Sequence, residues 1–134
     1  MLDSTAAVAA ERQGKNARQL LETVALEAGD EGIAVSVVTV LELAHGITRA
    51  DTTERRNRRQ AFLDELLRGV PIQPVTVPIA LRAGQIDGQS QARGIRIPLS
   101  DLLIGVSALE LGYAVGTANV RHFQLIPGLS VTQL

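Results

Sequence analysis

Hydrophobic and polar positions alternate between two rhythms along this chain. Compact apolar runs separate stretches in which apolar residues recur every three or four positions. Residues 1–5 read as the end of a strand and a turn, and residues 6–10 as a small-residue helix. Only Met1 and Leu2 precede Asp3, which is short for a central strand, so either that strand is stunted or the native chain begins earlier. Residues 16–28 predict a second helix, with Ala17, Leu20, Leu21, Val24 and Ala28 near helical spacing and Gly29-Asp30-Glu31-Gly32 as its stop. Residues 33–37 are apolar and rich in β-branched side chains, the pattern of a buried parallel strand.

Thr39 is the expected cap of a helix running to about Ala50, with Glu42 in its first turn. The next helix spans residues 53–68 on a stripe of Phe62, Leu63, Leu66, Leu67 and Val70. Continued toward the N-terminus at the same spacing, the stripe meets Arg55, Arg56 and Arg59, so the inner face is expected to turn basic where it overhangs the core. Residues 70–75 carry two prolines and predict an edge strand. A helix over residues 77–92 is closed by Arg93-Gly94. A strongly apolar helix then opens near Ile97-Pro98-Leu99-Ser100-Asp101 and ends at Gly112. Residues 113–117 form another buried strand, 119–123 a turn or short helix, and 129–131 a last short strand. Strands alternating with helices imply right-handed crossovers and an α/β fold, a parallel sheet with helices on both faces.

Composition narrows the function. A chain of 134 residues, 46% hydrophobic and 20% charged, is expected to form one domain over 1–134. Thirteen basic against fourteen acidic residues exclude a strongly basic nucleic-acid binder but leave room for a nuclease with local arginine patches. Aromatic residues are only 2% (Phe62, Tyr113, Phe123), too few for recognition by base stacking. Cysteine is absent, so thiolate metal sites are excluded. With no apolar window near the roughly 18 residues of a membrane span and no leader pattern, a cytoplasmic location and no membrane association are expected.

Asp3, Glu42 and Asp101 share a context, since each opens a helix after a strand or loop. Taken singly, each has a simple explanation. Asp3 reads as an N-cap, Thr39 with Glu42 as a capping box, and an acid in a first turn suits the helix dipole. Taken together they point elsewhere. In an open parallel sheet, strand C-termini and helix N-termini lie along one edge, where ligand crevices form. Three carboxylates meeting there would repel unless a cation neutralised them, and hard oxygen ligands without cysteine favour Mg²⁺ or Mn²⁺.

Asp3-Ser4-Thr5, Ser36 through Glu42-Leu43-Ala44-His45-Gly46, Ser100-Asp101-Leu102-Leu103-Ile104 and Thr117-Ala118-Asn119-Val120-Arg121-His122-Phe123, in that order before Leu129-Ser130-Val131, resemble a PIN domain. More narrowly they resemble the VapC toxins of VapBC toxin–antitoxin pairs. The resemblance covers essentially the whole chain. It implies a PIN-like three-layer sandwich of about four or five strands and a metal-dependent endoribonuclease cleaving structured RNA, tRNA or rRNA. It also implies a cognate VapB-type antitoxin and a homodimer. Asp3, Glu42 and Asp101 match the family's acidic positions and would hold Mg²⁺ or Mn²⁺. Thr5 matches a small polar position beside the first Asp, and Thr117 the threonine on the wall of the site. The departure is at the fourth acid, where Asn119 and His122 stand at the corresponding positions. Asn119 is the substitute expected to take a catalytic part, and His122, Arg55 and Arg59 are the candidate RNA contacts.

Other functions compete. Glu42 and His45 form a Glu-x-x-His pair, but a di-iron bundle needs two such pairs. A phosphoacceptor domain needs an acidic pair after the first strand and a late lysine, whereas Ser4-Thr5 and the single, early Lys15 stand here. A PIN-like module that binds RNA or a partner without cutting is the alternative that the missing fourth acid favours.

Overall fold

The computed structural model describes residues 1–28 and 32–134. The expected helix stop at Gly29, Asp30 and Glu31 lies outside them. The described residues form six α-helices: α1 (Ser4–Arg12), α2 (Ala17–Ala28), α3 (Val37–Thr48), α4 (Thr53–Gly69), α5 (Val77–Ala92) and α6 (Leu99–Leu111). Four short strands accompany them: β1 (Val35–Ser36), β2 (Ile72–Gln73), β3 (Val115–Thr117) and β4 (Val131–Gln133).

β2 pairs with β1 and β4 with β3, both in parallel, and Leu2 joins the two pairs by parallel bridges to Val35 and Gly116. The Leu2 amide donates to Ala34 O at 3.0 Å, and the Gly116 amide to Met1 O at 2.8 Å. Among the described residues the first strand is one residue long in ladder terms, Leu2, and it holds the centre of the sheet. The order across the sheet is β2, β1, Leu2, β3, β4. Winding reverses between Leu2 and β3, so Asp3 and Thr117 flank the point where a crevice must open.

Successive residues of the first strand face opposite sides, as the pleat requires. Leu2 packs with Ala6, Ala10, Leu20, Val24, Phe62 and Leu66 of α1, α2 and α4. Met1 packs with Ile79, Leu102, Val106, Val115 and Phe123 on the side of α5 and α6. The three-layer α/β arrangement expected of the chain is thus present. Helix α6 is apolar all round because it is buried nearly all round, and each fully buried Leu, Ile or Val contributes roughly 1.5–3 kcal/mol. Helix α3 touches both layers, with Val38 against the α6 side and Val40 and Leu43 against the α4 side.

Several boundaries differ from expectation. The apolar run at 33–37 yields only a two-residue strand, and Val37 already belongs to α3. Ser36, not Thr39, caps that helix, its hydroxyl accepting from the Val38 amide at 3.0 Å. Thr39 is buried and donates to Leu2 O, so no capping box forms and Glu42 lies beyond the first turn. The last strand begins at Val131 because Ile126 is drawn into the core and Gly128 turns the chain at φ 79°. The α4 stripe buries Phe62, Leu63 and Leu66, but Leu67 is exposed. Arg55 and Arg56 do not continue the inner face. Both are exposed, and Arg55 turns back to Asp51 at 3.0 Å.

Candidate functional site

Asp3 caps α1, its Oδ1 accepting from the Ala6 amide at 3.2 Å. Capping leaves most of its hydrogen-bonding capacity for other donors. The Thr5 hydroxyl lies 2.8 and 2.9 Å from its two oxygens, and the Thr117 hydroxyl donates to Oδ2 at 2.8 Å. Each hydroxyl has one proton and two lone pairs. With both protons directed to Asp3, Thr5 accepts from the Ala118 amide and Thr117 from the Asn119 amide, each at 3.0 Å. The loop after β3 is thereby tied to the start of α1 through one carboxylate that is only 3% exposed. Burial pushes the Asp3 carboxyl above the usual carboxylate range. The Thr117, Thr5 and Ala6 hydrogen bonds oppose the shift, and the charge of Asp101 adds to it.

Glu42 reaches the same place from α3. The Ser4 hydroxyl donates to its Oε1 at 3.1 Å, and Ser100 supplies a second hydrogen bond. Its carboxyl is also raised. Burial is the largest cause, the Ser4 hydrogen bond opposes it, and the charges of Asp101 and Asp3 reinforce it. Asp101 sits in the first turn of α6, whose N-cap Pro98 makes no side-chain cap. Its Oδ2 lies 2.7 Å from His122 Nδ1. The three acids therefore share one neighbourhood, each within reach of the others' charge, and only Asp3 is spent on capping.

The surroundings supply hydroxyls rather than cations. Among the described residues, no lysine or arginine pairs with Asp3, Glu42 or Asp101. Nor are any three acidic or histidine side chains among them drawn together into a finished cation cage. A set of hard oxygen donors without an organic counter-ion fits a divalent cation of the Mg²⁺ or Mn²⁺ kind.

The other predicted residues are placed unevenly. Thr5 and Thr117 lie at the centre. Asn119 follows directly, but it is exposed and its side-chain oxygen accepts from the Arg121 amide at 3.4 Å. His122 is in contact with Asp101. Arg59 faces a groove of about 330 Å³ between α1, α3 and α4, which Ala7, Val8, Leu41 and Phe62 line and Ser4, Glu42 and His45 border. Its Nε donates to both oxygens of Glu11 at 3.1 and 3.2 Å, and its Nη1 to Gly46 O at 2.7 Å. Arg55 lines no part of that groove. Sequence reasoning passed over Ser4 and Ser100, the hydroxyls that steady Glu42. The available signal was their position, each directly beside a singled-out acid.

A PIN domain family model matches residues 1–128. Ribonuclease VapC10 of Mycobacterium tuberculosis is 34% identical over 100 residues, spanning 75% of this chain and 69% of its own. The tRNA(fMet)-specific endonuclease VapC of Salmonella typhimurium is 25% identical over 99 residues, spanning 74% and 73%. Among solved structures, VapBC2 from Rickettsia felis, bound to a DNA fragment from their promoter, superposes with a TM-score of 0.82 at 23% identity, covering 100% of this chain and 97% of that one.

Proposed function

The chain belongs to the PIN domain family, among the VapC proteins, and from that premise we propose that it is a divalent-metal-dependent endoribonuclease acting as the toxin of a toxin–antitoxin pair. The observation that carries the proposal is the convergence of Asp3, Glu42 and Asp101 from three distant segments at one sheet edge, with the Ser4 hydroxyl beside Asp3 bonded to Glu42 and β3 with the loop after it reaching both Asp3 and Asp101. These three residues would hold Mg²⁺ or Mn²⁺. Such an ion polarises a phosphoryl oxygen and lowers the pKa of its bound water toward neutrality.

The chain's own side chains set the stage for that chemistry. Thr5 and Thr117 orient Asp3, and Ser4 and Ser100 orient Glu42, so two of the three carboxylates are pre-positioned by hydroxyl donors. Asn119 holds the turn that closes the site behind Thr117. Arg59, at the groove wall beside Glu42, meets the phosphate backbone. The substrate class is structured RNA, tRNA or rRNA, read by shape and backbone because aromatic platforms are scarce. The tRNA specificity in the name of the Salmonella relative supports that class.

The partner is a VapB-type antitoxin, supported by the pairing named for the Rickettsia structure. Its segment lies in the apolar groove along α4, where Leu41 is 67% exposed, and carries a cation toward the acids. We extend the proposal to a homodimer, the assembly that the family resemblance implies.

The test is cleavage of structured RNA by the purified, antitoxin-free protein with Mn²⁺. Cleavage stops with EDTA, and Asp101→Asn lowers the rate by about a hundredfold or more, the scale for removing a preorganised electrostatic contact. Activity that persists in EDTA, or an unchanged rate in Asp101→Asn, overturns the proposal.

A further inference from the structure

We infer that His122 is a positioning residue for Asp101, holding its carboxylate through Nδ1–H so that one oxygen is fixed and the other is left for a cation. This rests on the proposed metal-dependent function.

Asp3 receives hydrogen bonds from Ala6, Thr5 and Thr117, and Glu42 from Ser4 and Ser100. Asp101 has no such support from its own helix. Among the described residues its one hydrogen-bond partner is His122, at 2.7 Å from Oδ2. To hold a cation Asp101 must be a carboxylate, which only accepts, and in that state the contact requires the imidazole to present Nδ1–H.

The delivery of His122 is built into the fold. Phe123, the next residue, is 1% exposed and opens a 3₁₀ turn (Phe123–Leu125) that packs against α6. Gly105 stands one helical turn after Asp101, on the same side of α6. A methyl group there would collide with Ile126 Cδ1 and press on Leu129, while only touching Phe123, so the absent side chain lets the segment after the turn approach closely. Asn119 Oδ1 accepts from the Arg121 amide, and the Gln124 amide donates to Val120 O at 3.0 Å, fixing the backbone on both sides of His122. The ring is left with its two side-chain torsions and meets Asp101. A histidine here steadies the third acid without adding a fourth negative charge to a site whose members already repel.

Mn²⁺ binding to the intact protein at about pH 8, followed by calorimetry and by the free-ion paramagnetic resonance signal, tests this. Partners that orient a metal ligand are typically worth about 10- to 100-fold in affinity. His122→Ala is expected to weaken Mn²⁺ binding on that scale. His122→Asn, which retains an N–H donor, restores most of it. On an Asp101→Asn background, His122→Ala changes nothing further, since its effect runs through that carboxylate. Wild-type affinity in His122→Ala overturns the inference, as does a His122→Asn protein as weak as the alanine variant. If the wild type takes up no Mn²⁺, and Asp3→Asn and Asp101→Asn leave the titration unchanged, the metal-dependent function itself fails and this inference with it.

Discussion

Glu42 shows how a single side chain records the chemistry of this site. Its carboxyl is held above the usual range chiefly by burial, against the Ser4 hydrogen bond and with the charges of Asp101 and Asp3 added. The folded chain thus binds this proton more tightly than the unfolded chain. The associated stability is complete below the ordinary carboxylate range and is lost as pH rises through the raised folded value. Metal-free Glu42→Gln escapes that loss, while its amide oxygen can still accept from Ser4. Urea unfolding at about pH 4 and about pH 8 should show the variant gaining on wild type toward the higher pH, since model carboxyls titrate near 4. A constant difference across that range would show that folding does not raise the Glu42 carboxyl. That Asp3, Glu42 and Asp101 would come near one another was legible from sequence only when the three were taken together, because singly each reads as a cap or a first-turn acid. Of the hydroxyls that support them, Thr5 and Thr117 were marked by the family resemblance, whereas Ser4 and Ser100 were not, because a serine beside a helix start is equally well explained as a cap.

At the scale of elements, the helices were read more faithfully than the strands. Helix α5 runs over the expected residues, since Thr76 caps it, Pro78 suits its first turn and its periodicity is unbroken. Helix α3 was misread in register because both Ser36 and Thr39 are good caps by type. The sheet decides between them by recruiting the Thr39 hydroxyl to Leu2 O. The arginines at the start of α4 were misassigned for a related reason. Periodicity extended the apolar stripe, whereas Asp51 turns Arg55 outward and Glu11 with Gly46 holds Arg59 in. Helix α5 carries a testable cost. Gly84 and Gly88 lie in its interior, and a methyl group at either would meet nothing within 4 Å. Gly84→Ala and Gly88→Ala should each stabilise the isolated chain by about 0.5–1 kcal/mol, measured by urea unfolding. Destabilisation by either would reveal a close contact on that face.

For the whole molecule, strand order is what turns scattered acids into a site. With Leu2 central and winding reversed beside β3, the start of α1, the start of α6 and the loop after β3 converge at one edge, and α3 spans both layers to bring Glu42 there. A cation held there, as proposed, would relieve the repulsion among the acids, so Mn²⁺ should raise the thermal midpoint. At about a hundredfold excess over Kd the gain is about 2.7 kcal/mol. Differential scanning calorimetry should show the shift in wild type and its absence in the Asp3→Asn, Glu42→Gln, Asp101→Asn triple variant. The shift should also fade in acid, where the ligands protonate. An equal shift in the triple variant would place the ion elsewhere.

The sequence by itself determined the helices and the alternation that makes a parallel α/β sheet, because these follow from local propensity and the spacing of apolar side chains. Tertiary structure alone decided where the strands begin and end, which hydroxyl caps α3, which arginine faces the groove and that His122 grips Asp101. Each of those is a choice between groups of equal local merit, resolved by partners far away in the chain.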